Sequence, residues 1–340
     1  MTEMRKFIIV FVLFLGMVVV ALSFSELETI IKTLQHAHFL YLLSAIIFQA
    51  LWFIVIGRMY RETYHLLDLD ETTITLSKMA VAANFVNVVA PTGGVGGIAL
   101  FTAEARRRGH SSGKATVAAA LYLLFDQAAF LVILALGLII LVRRNNLSAG
   151  EITASFIMLI IASAFASLFY IGYRSEQRLG DLLAKMARFV NRIVKPFFHR
   201  EYLSETRAHK FAHEISDGLS GLTANPSSLV RPVLWGLLDK ALCMGILLAS
   251  FLSFEVPFTA GTIIAGFAIA YLFLIVSPTP SGIGVVEGVM PLALTSLRVD
   301  WSQAVVITLT YRAVTFWLPM AVGAWAFRSL HWREKRPATE

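Results

Sequence analysis

A single cysteine, Cys243, in 340 residues excludes a disulfide-stapled secreted scaffold, which needs thiols in pairs. Charge is scarce too, with Asp, Glu, Lys and Arg making up 15% of the chain against about 25% in soluble globular domains. That deficit excludes an ordinary cytosolic enzyme. With 57% hydrophobic residues and a mean hydropathy of +0.71, a disordered chain is excluded as well. The glycine runs lack a Walker lysine behind them and a soluble strand ahead, which rules out a phosphate loop for nucleotides. What remains is an all-α polytopic membrane protein. Its net charge of +7 reads as topology signals rather than as a nucleic-acid surface.

Apolar stretches of about 17 to 25 residues satisfy their own backbone groups as membrane-crossing helices. Six qualify: Phe7 to Phe24, Phe39 to Gly57, Ala115 to Val142, Ile152 to Tyr173, Leu229 to Ser253 and Gln303 to Phe327. The first exceeds the usual apolar core of a signal peptide, so a retained span is expected. Two further apolar stretches are interrupted. Met79 to Ala103 is broken by Pro91, Thr92, Gly93, Gly94 and Gly97, and Val256 to Leu297 by Pro278, Pro280, Gly282 and Gly284.

The distribution of cations decides how the first break is read. As a full crossing it would put Arg106, Arg107, Arg108, Lys114 and the nine Lys and Arg from Arg174 to Lys210 outside. As a re-entrant hairpin it keeps them in the cytoplasm with both termini, leaving Lys32, Arg143, Arg144 and Arg298 outside. The halves flanking Pro91 would each reach roughly mid-membrane. The second stretch permits either one hairpin or two full crossings.

A weak self-similarity accompanies this pattern. Pro91-Thr92 and Gly97 match Pro278-Thr279 and Gly284 at a shift of 187, and Tyr122 matches Tyr311 at 189. The expected organisation is one integral membrane domain over residues 1–340, with a first repeat at 39–142 and a second, inverted repeat at 229–327. Between them, 174–228 forms a cytoplasmic basic amphipathic linker, with Leu179, Leu182, Leu183 and Met186 at helical spacing among cations. It serves either as a topology anchor or as a sensor of anionic inner-leaflet lipids. Six spans and two broken hairpins in inverted repeat are the arrangement of a transporter whose site lies at the bilayer midplane.

Ionisable groups inside spans are costly and so mark candidate sites. Five stand out: Asp126, Asp239, Lys240, Glu287 and Arg312. Asp126 and Arg312 sit on corresponding spans; either they pair, or Arg312 meets an anionic headgroup while Asp126 carries a proton. Asp239 and Lys240 are adjacent, hence about 100° apart on a helix, and each is expected to need another partner; Lys240, with Arg312, is expected to attract the headgroup, and Asp239 to carry a proton or pair with a cation. Glu287 serves as a helix cap or as a proton-coupling carboxylate. The helix starts beyond Gly97 and Gly284, with Pro91, Thr92, Gly93, Gly94, Pro278, Pro280, Gly282 and Tyr311, are candidates for cradling a phosphate. No cofactor or metal is expected, since His209 and His213 share a helix face without a third ligand.

The run Pro278-Thr279-Pro280-Ser281-Gly282-Ile283-Gly284-Val285-Val286-Glu287 resembles the flippase-like family named for the lysylphosphatidylglycerol synthase transmembrane region, the membrane part of multiple peptide resistance factors. Asn87 to Gly97 is similar to that family's more variable first break. Ser281 departs from it where a second glycine is common, and no Glu follows Gly97 closely. The resemblance implies lipid translocation, with stand-alone members associated with hopanoid or lipid-linked sugar pathways. The longest hydrophilic stretch, Arg174 to Ser228, is too short for the aminoacyl-transferase domain of the larger members, so no synthase activity is carried over. The expected function is movement of a phospholipid or other lipid-linked amphiphile between leaflets of a bacterial-type inner membrane. The alternatives are a membrane enzyme using Glu287, Asp126 and Asp239 as acid and base, and a scaffold partnering lipid-modifying enzymes.

Overall fold

The computed structural model describes residues 37–89, 95–143, 230–277 and 279–332 continuously, and isolated helical positions between 149 and 213. Every regular element among the described residues is helical. Helix α1 runs Phe39–His65, α2 Thr73–Val89, α3 Val95–Arg107 and α4 Ser112–Arg143. After the central region come α5 Val230–Ser253, α6 Ala260–Val276, a tight 3-10 turn Pro280–Gly282, α7 Val285–Ser296 and α8 Trp301–Arg312. A five-residue π-helical segment, Ala313–Trp317, joins α8 to α9, Leu318–Trp332.

Four helices are long and apolar enough to cross a membrane: Phe39–His65, Ser112–Arg143, Val230–Ser253 and the joined Trp301–Leu330. Their outward faces are apolar, with Ile47, Ile54, Val132, Ile139 and Leu234 each half or more exposed. Hydrocarbon, not water, is the solvent such belts suit. Phe7 to Phe24 lies outside the described residues; within Ile152 to Tyr173, Phe156, Leu159, Ile160 and Tyr170 are helical and exposed.

The two stretches around α2–α3 and α6–α7 have the same order of parts: long helix, two short helices about a break, long helix. The short helices have 17 and 13 residues in the first and 17 and 12 in the second. At 1.5 Å per residue they span roughly 18 to 26 Å, less than the ~30 Å of hydrocarbon.

Long-range contacts fix how these parts meet. The His38 N–H donates to the Ser253 carbonyl at 2.7 Å, so the start of α1 adjoins the end of α5 and these closely packed helices run antiparallel. Helix α6 packs on α4, and α9 packs on α2. The latter contact is intimate, since a Cβ on Gly323 would stand 2.7 Å from the Val81 carbonyl oxygen.

Connections gather at the two ends of α4. At its start, Lys114 Nζ donates to the Leu67 carbonyl at 3.2 Å. There Arg108 bridges Glu104 at 3.0 Å and Glu71 at 3.3 Å, tying α3 to the α1–α2 connection. At its far end Arg143 shares a surface cleft with Pro257 and Thr259 from the α5–α6 connection and with Arg298 from the α7–α8 connection.

The central region differs from the sequence expectation in one respect. Leu179, expected on a leaflet-facing stripe, is 1% exposed and packs with Ala212 into the core cluster of α1–α4. One turn away, His213 meets Glu176 at 3.1 Å. The described helix 176–185 is thus held against protein on its apolar face. Met186 lies outside the described side chains, as do Pro91, Thr92, Gly93, Gly94 and Pro278.

Candidate functional site: a charged cavity between the two halves

A segment that leaves helical geometry at membrane depth must satisfy its backbone internally. The second break does so in detail. Ser277 Oγ accepts from the Thr279 N–H at 3.1 Å, Thr279 Oγ1 donates to the Ile283 carbonyl at 2.8 Å, and Arg312 Nη2 donates to the Ser281 carbonyl at 3.2 Å. The chain turns through three positive-φ residues within four positions, with φ of 51° at Ser281, 71° at Gly282 and 78° at Gly284. Only glycine occupies such angles without strain.

Glu287 caps a helix, as one of its two expected readings had it, and pairs with a cation as well. One oxygen accepts from the Gly284 N–H at 2.8 Å, capping the start of α7. The other accepts from Arg312 Nε. The guanidinium also lies 4.5 Å from the Phe316 ring centre, inside the π-helical segment. Such segments are frequent at functional sites. Arg312 is 2% exposed. It therefore does not pair with Asp126; the partner is the carboxylate three residues past Gly284.

Asp126 instead reaches across to α5. Lys240 Nζ stands 2.6 Å from Asp126 Oδ1, 2.8 Å from Asp239 Oδ2 and 2.6 Å from the Tyr271 hydroxyl. Tyr271 in turn donates to Asp126 Oδ2 at 3.1 Å. The expected separation of Asp239 and Lys240 is overturned here. Their Cβ atoms diverge, but the four-carbon lysine stem curls back and brings its ammonium to its neighbour's carboxylate. Lys240 is 1% exposed and all three of its donors are accounted for.

These groups border one cavity of about 330 Å³, lined from α1, α2, α4, α5, α6, the second break and α8–α9. Asp126, Asp239, Tyr311, Arg312 and Ser281 open onto it, whereas Lys240 lies behind its wall. The end of α2, before the first break, contributes Asn84 and Asn87. Asn87 Oδ1 accepts from the Gly97 N–H at 2.7 Å, bracing the start of α3 as Glu287 braces α7. Gln127 also lines the cavity, and its Oε1 is buried without a hydrogen-bond partner. An unpaired buried acceptor is costly and is satisfied when a donor enters.

The sequence matches the family described as lysylphosphatidylglycerol synthase TM region over residues 7–323. The chain belongs to that family. No curated protein matches the chain. Membership in the lysylphosphatidylglycerol synthase TM region family identifies a lipid-related membrane protein, and it spans both halves and the cavity between them.

Sequence reasoning found all five ionisable residues but missed their companions Tyr271, Gln127, Asn84 and Asn87. A signal was present, since each is a polar group inside an otherwise apolar helix and needs a partner there. Among the described residues no group of three metal-ligating side chains converges. His209 faces Asp181 at 4.0 Å.

Proposed function

We propose that the protein moves a lipid or lipid-linked amphiphile between leaflets by alternating access around this cavity. The observation that carries the reading is the cavity's position: it meets the second break at Ser281 and the helix that leads into the first, and it is lined by Asp126, Asp239 and Arg312, where apolar packing would otherwise be expected. At about 330 Å³ it falls at the small end of ligand sites. That size suits a polar headgroup and leaves acyl chains in the surrounding hydrocarbon.

Three features support an inverted repeat of hairpins that enter from opposite faces. The halves share one order of elements, α1 and α5 run antiparallel, and the connections of the two hairpins sit at opposite ends of α4. The short α2, α3, α6 and α7 favour two re-entrant hairpins over additional full crossings. The six-span count and the cytoplasmic termini follow from the positive-inside rule in that arrangement.

Arg312 is the residue we assign to an anionic headgroup, because it lines the cavity and Glu287 holds its charge in place. Lys240, saturated by two carboxylates and a tyrosine, positions α4, α5 and α6 rather than the headgroup. The three carboxylates are held against Lys240 and Arg312, which favours ion-pairing and proton-carrying roles over chemistry on a lipid-linked substrate.

The test is transbilayer movement of headgroup-labelled lipid in proteoliposomes. Arg312→Ala combined with Glu287→Gln removes the pair without leaving a buried charge alone. Loss of movement in that folded double variant is the expected result. Unaltered movement, or chemical conversion of the lipid by the wild-type protein, would sink the reading.

A further inference from the structure

Charge is unbalanced within the buried constellation. Three carboxylates, Asp126, Asp239 and Glu287, face two cations, Lys240 and Arg312. Glu287 and Arg312 neutralise each other. The remaining group is one ammonium between two carboxylates, and among the described residues no other Lys or Arg stands within ion-pair distance of either carboxylate.

The neighbours do not repair the deficit. From α1 come Trp52, close to Asp239, and Tyr60; α4 adds Tyr122, α5 adds Cys243, α6 adds Tyr271 and α8 adds Tyr311 with Arg312. Phenols and thiols are neutral near pH 7 in water. None of them supplies a positive charge. Arg312 is the one other cation facing the cavity, and it is held by Glu287 and the Ser281 carbonyl.

Two carboxylates sharing one site do not both ionise readily when a single cation is shared between them. A proton removes the excess at once, and the cavity gives it a route, since both Asp126 and Asp239 open onto it while Lys240 does not. We infer that Asp126 and Asp239 share one exchangeable proton, and that this pair is the site at which lipid movement is coupled to a proton gradient. The proton binds to a carboxylate oxygen from one side of the membrane and leaves toward the other, one per cycle. Lys240 stays charged throughout and sets the remaining charge to zero or minus one. Glu287–Arg312, already neutral, takes no part in proton exchange. This inference rests on the translocation reading for its coupling half, while the shared proton stands on geometry alone.

Infrared spectroscopy of the purified full-length protein in sodium-free buffer at neutral pH reads the proton directly. A protonated-carboxyl band is expected in the wild type, lost in Asp126→Asn and lost equally in Asp239→Asn, because either change leaves one carboxylate for one ammonium. The band is expected to survive in Glu287→Gln. Its absence from the wild type, or its persistence in both Asp variants, overturns the shared proton. In proteoliposomes a pH gradient is expected to change wild-type movement several-fold, and an identical rate with and without it overturns coupling. Protein that carries the band but moves no lipid overturns the translocation reading and keeps the proton site. Protein that moves lipid without the band does the reverse.

Discussion

Ser281 stands at φ 51°, where a Cβ costs roughly 1–2 kcal/mol relative to the right-handed region. Its side chain makes none of the described hydrogen bonds that hold the break; its carbonyl does, through Arg312. Ser281→Gly keeps that carbonyl and relieves the strain, offset in part by the greater chain entropy of glycine. A gain of about 0.5–1 kcal/mol is expected, read as a higher melting temperature in detergent, and a lower one would contradict the strained geometry. At this scale the candidate residues were legible because a charge inside an apolar run is conspicuous. Their pairing was not, since whether Arg312 meets Asp126 or Glu287 depends on how α7 and α8 pack, and spacing along one chain carries no such information. Asp239 and Lys240 show a related limit. Helical angles locate Cβ atoms, whereas a lysine ammonium lies several bonds beyond and can return to its own neighbour.

Helices meet here where small residues let backbones approach, and α2 against α9 is the clearest case. A Cβ at Gly323 would stand 2.7 Å from both the Val81 carbonyl oxygen and Phe85 Cβ, so Gly323→Ala must push the helices apart. A loss of about 1–3 kcal/mol is expected for such overpacking, measured by thermal unfolding in detergent; unchanged stability would mean α9 is not so seated. The hydrophobic pattern made the long helices readable to within a few residues except at the end of α1, which runs past the expected Gly57 to His65 through the more polar Arg58, Arg61 and Glu62, while the pieces of each hairpin were readable only as halves around a proline-glycine run.

A second interelement contact is electrostatic. Burial alone would raise the Glu71 carboxyl, but the Thr72 N–H, the Arg108 guanidinium and Thr75 more than offset it and hold the group below the ordinary carboxylate value. A depressed carboxylate contributes stability above its unfolded value of about 4.3, and that contribution disappears as pH falls through the lower folded value. Hydrogen exchange at the α1–α2 connection and the end of α3 should therefore accelerate as pH drops below about 4, after correction for intrinsic rates. Glu71→Gln should remove that acid-dependent step and expose the same amides at neutral pH. A variant that keeps the acid step would place its origin in another carboxylate.

For the whole molecule, the two hairpins must open toward opposite faces if the halves are inverted. The expected topology rests on cations distributed unevenly along the chain, and the geometry that supports it lies at the ends of α4. Its first turn reaches Leu67 through Lys114, and its last residue, Arg143, adjoins Thr259 and Arg298. A helix of 32 residues is about 48 Å long, enough to separate those groups by a full bilayer. Single cysteines placed at Asp70 and Ser111, in a Cys243→Ala background, are therefore expected to react from one face with a membrane-impermeant maleimide. Cysteines at Glu255 and Asp300 should react only from the other. With Arg106, Arg107 and Arg108 near the first pair, the positive-inside rule leads us to expect that face to be the cytoplasmic one. Labelling of all four positions from one side would refute the inversion and, with it, the exchange of access between two equivalent halves. Opposite labelling would leave the cavity reachable from either face by rocking one half against the other, which is the motion that exchange of access around one fixed site requires.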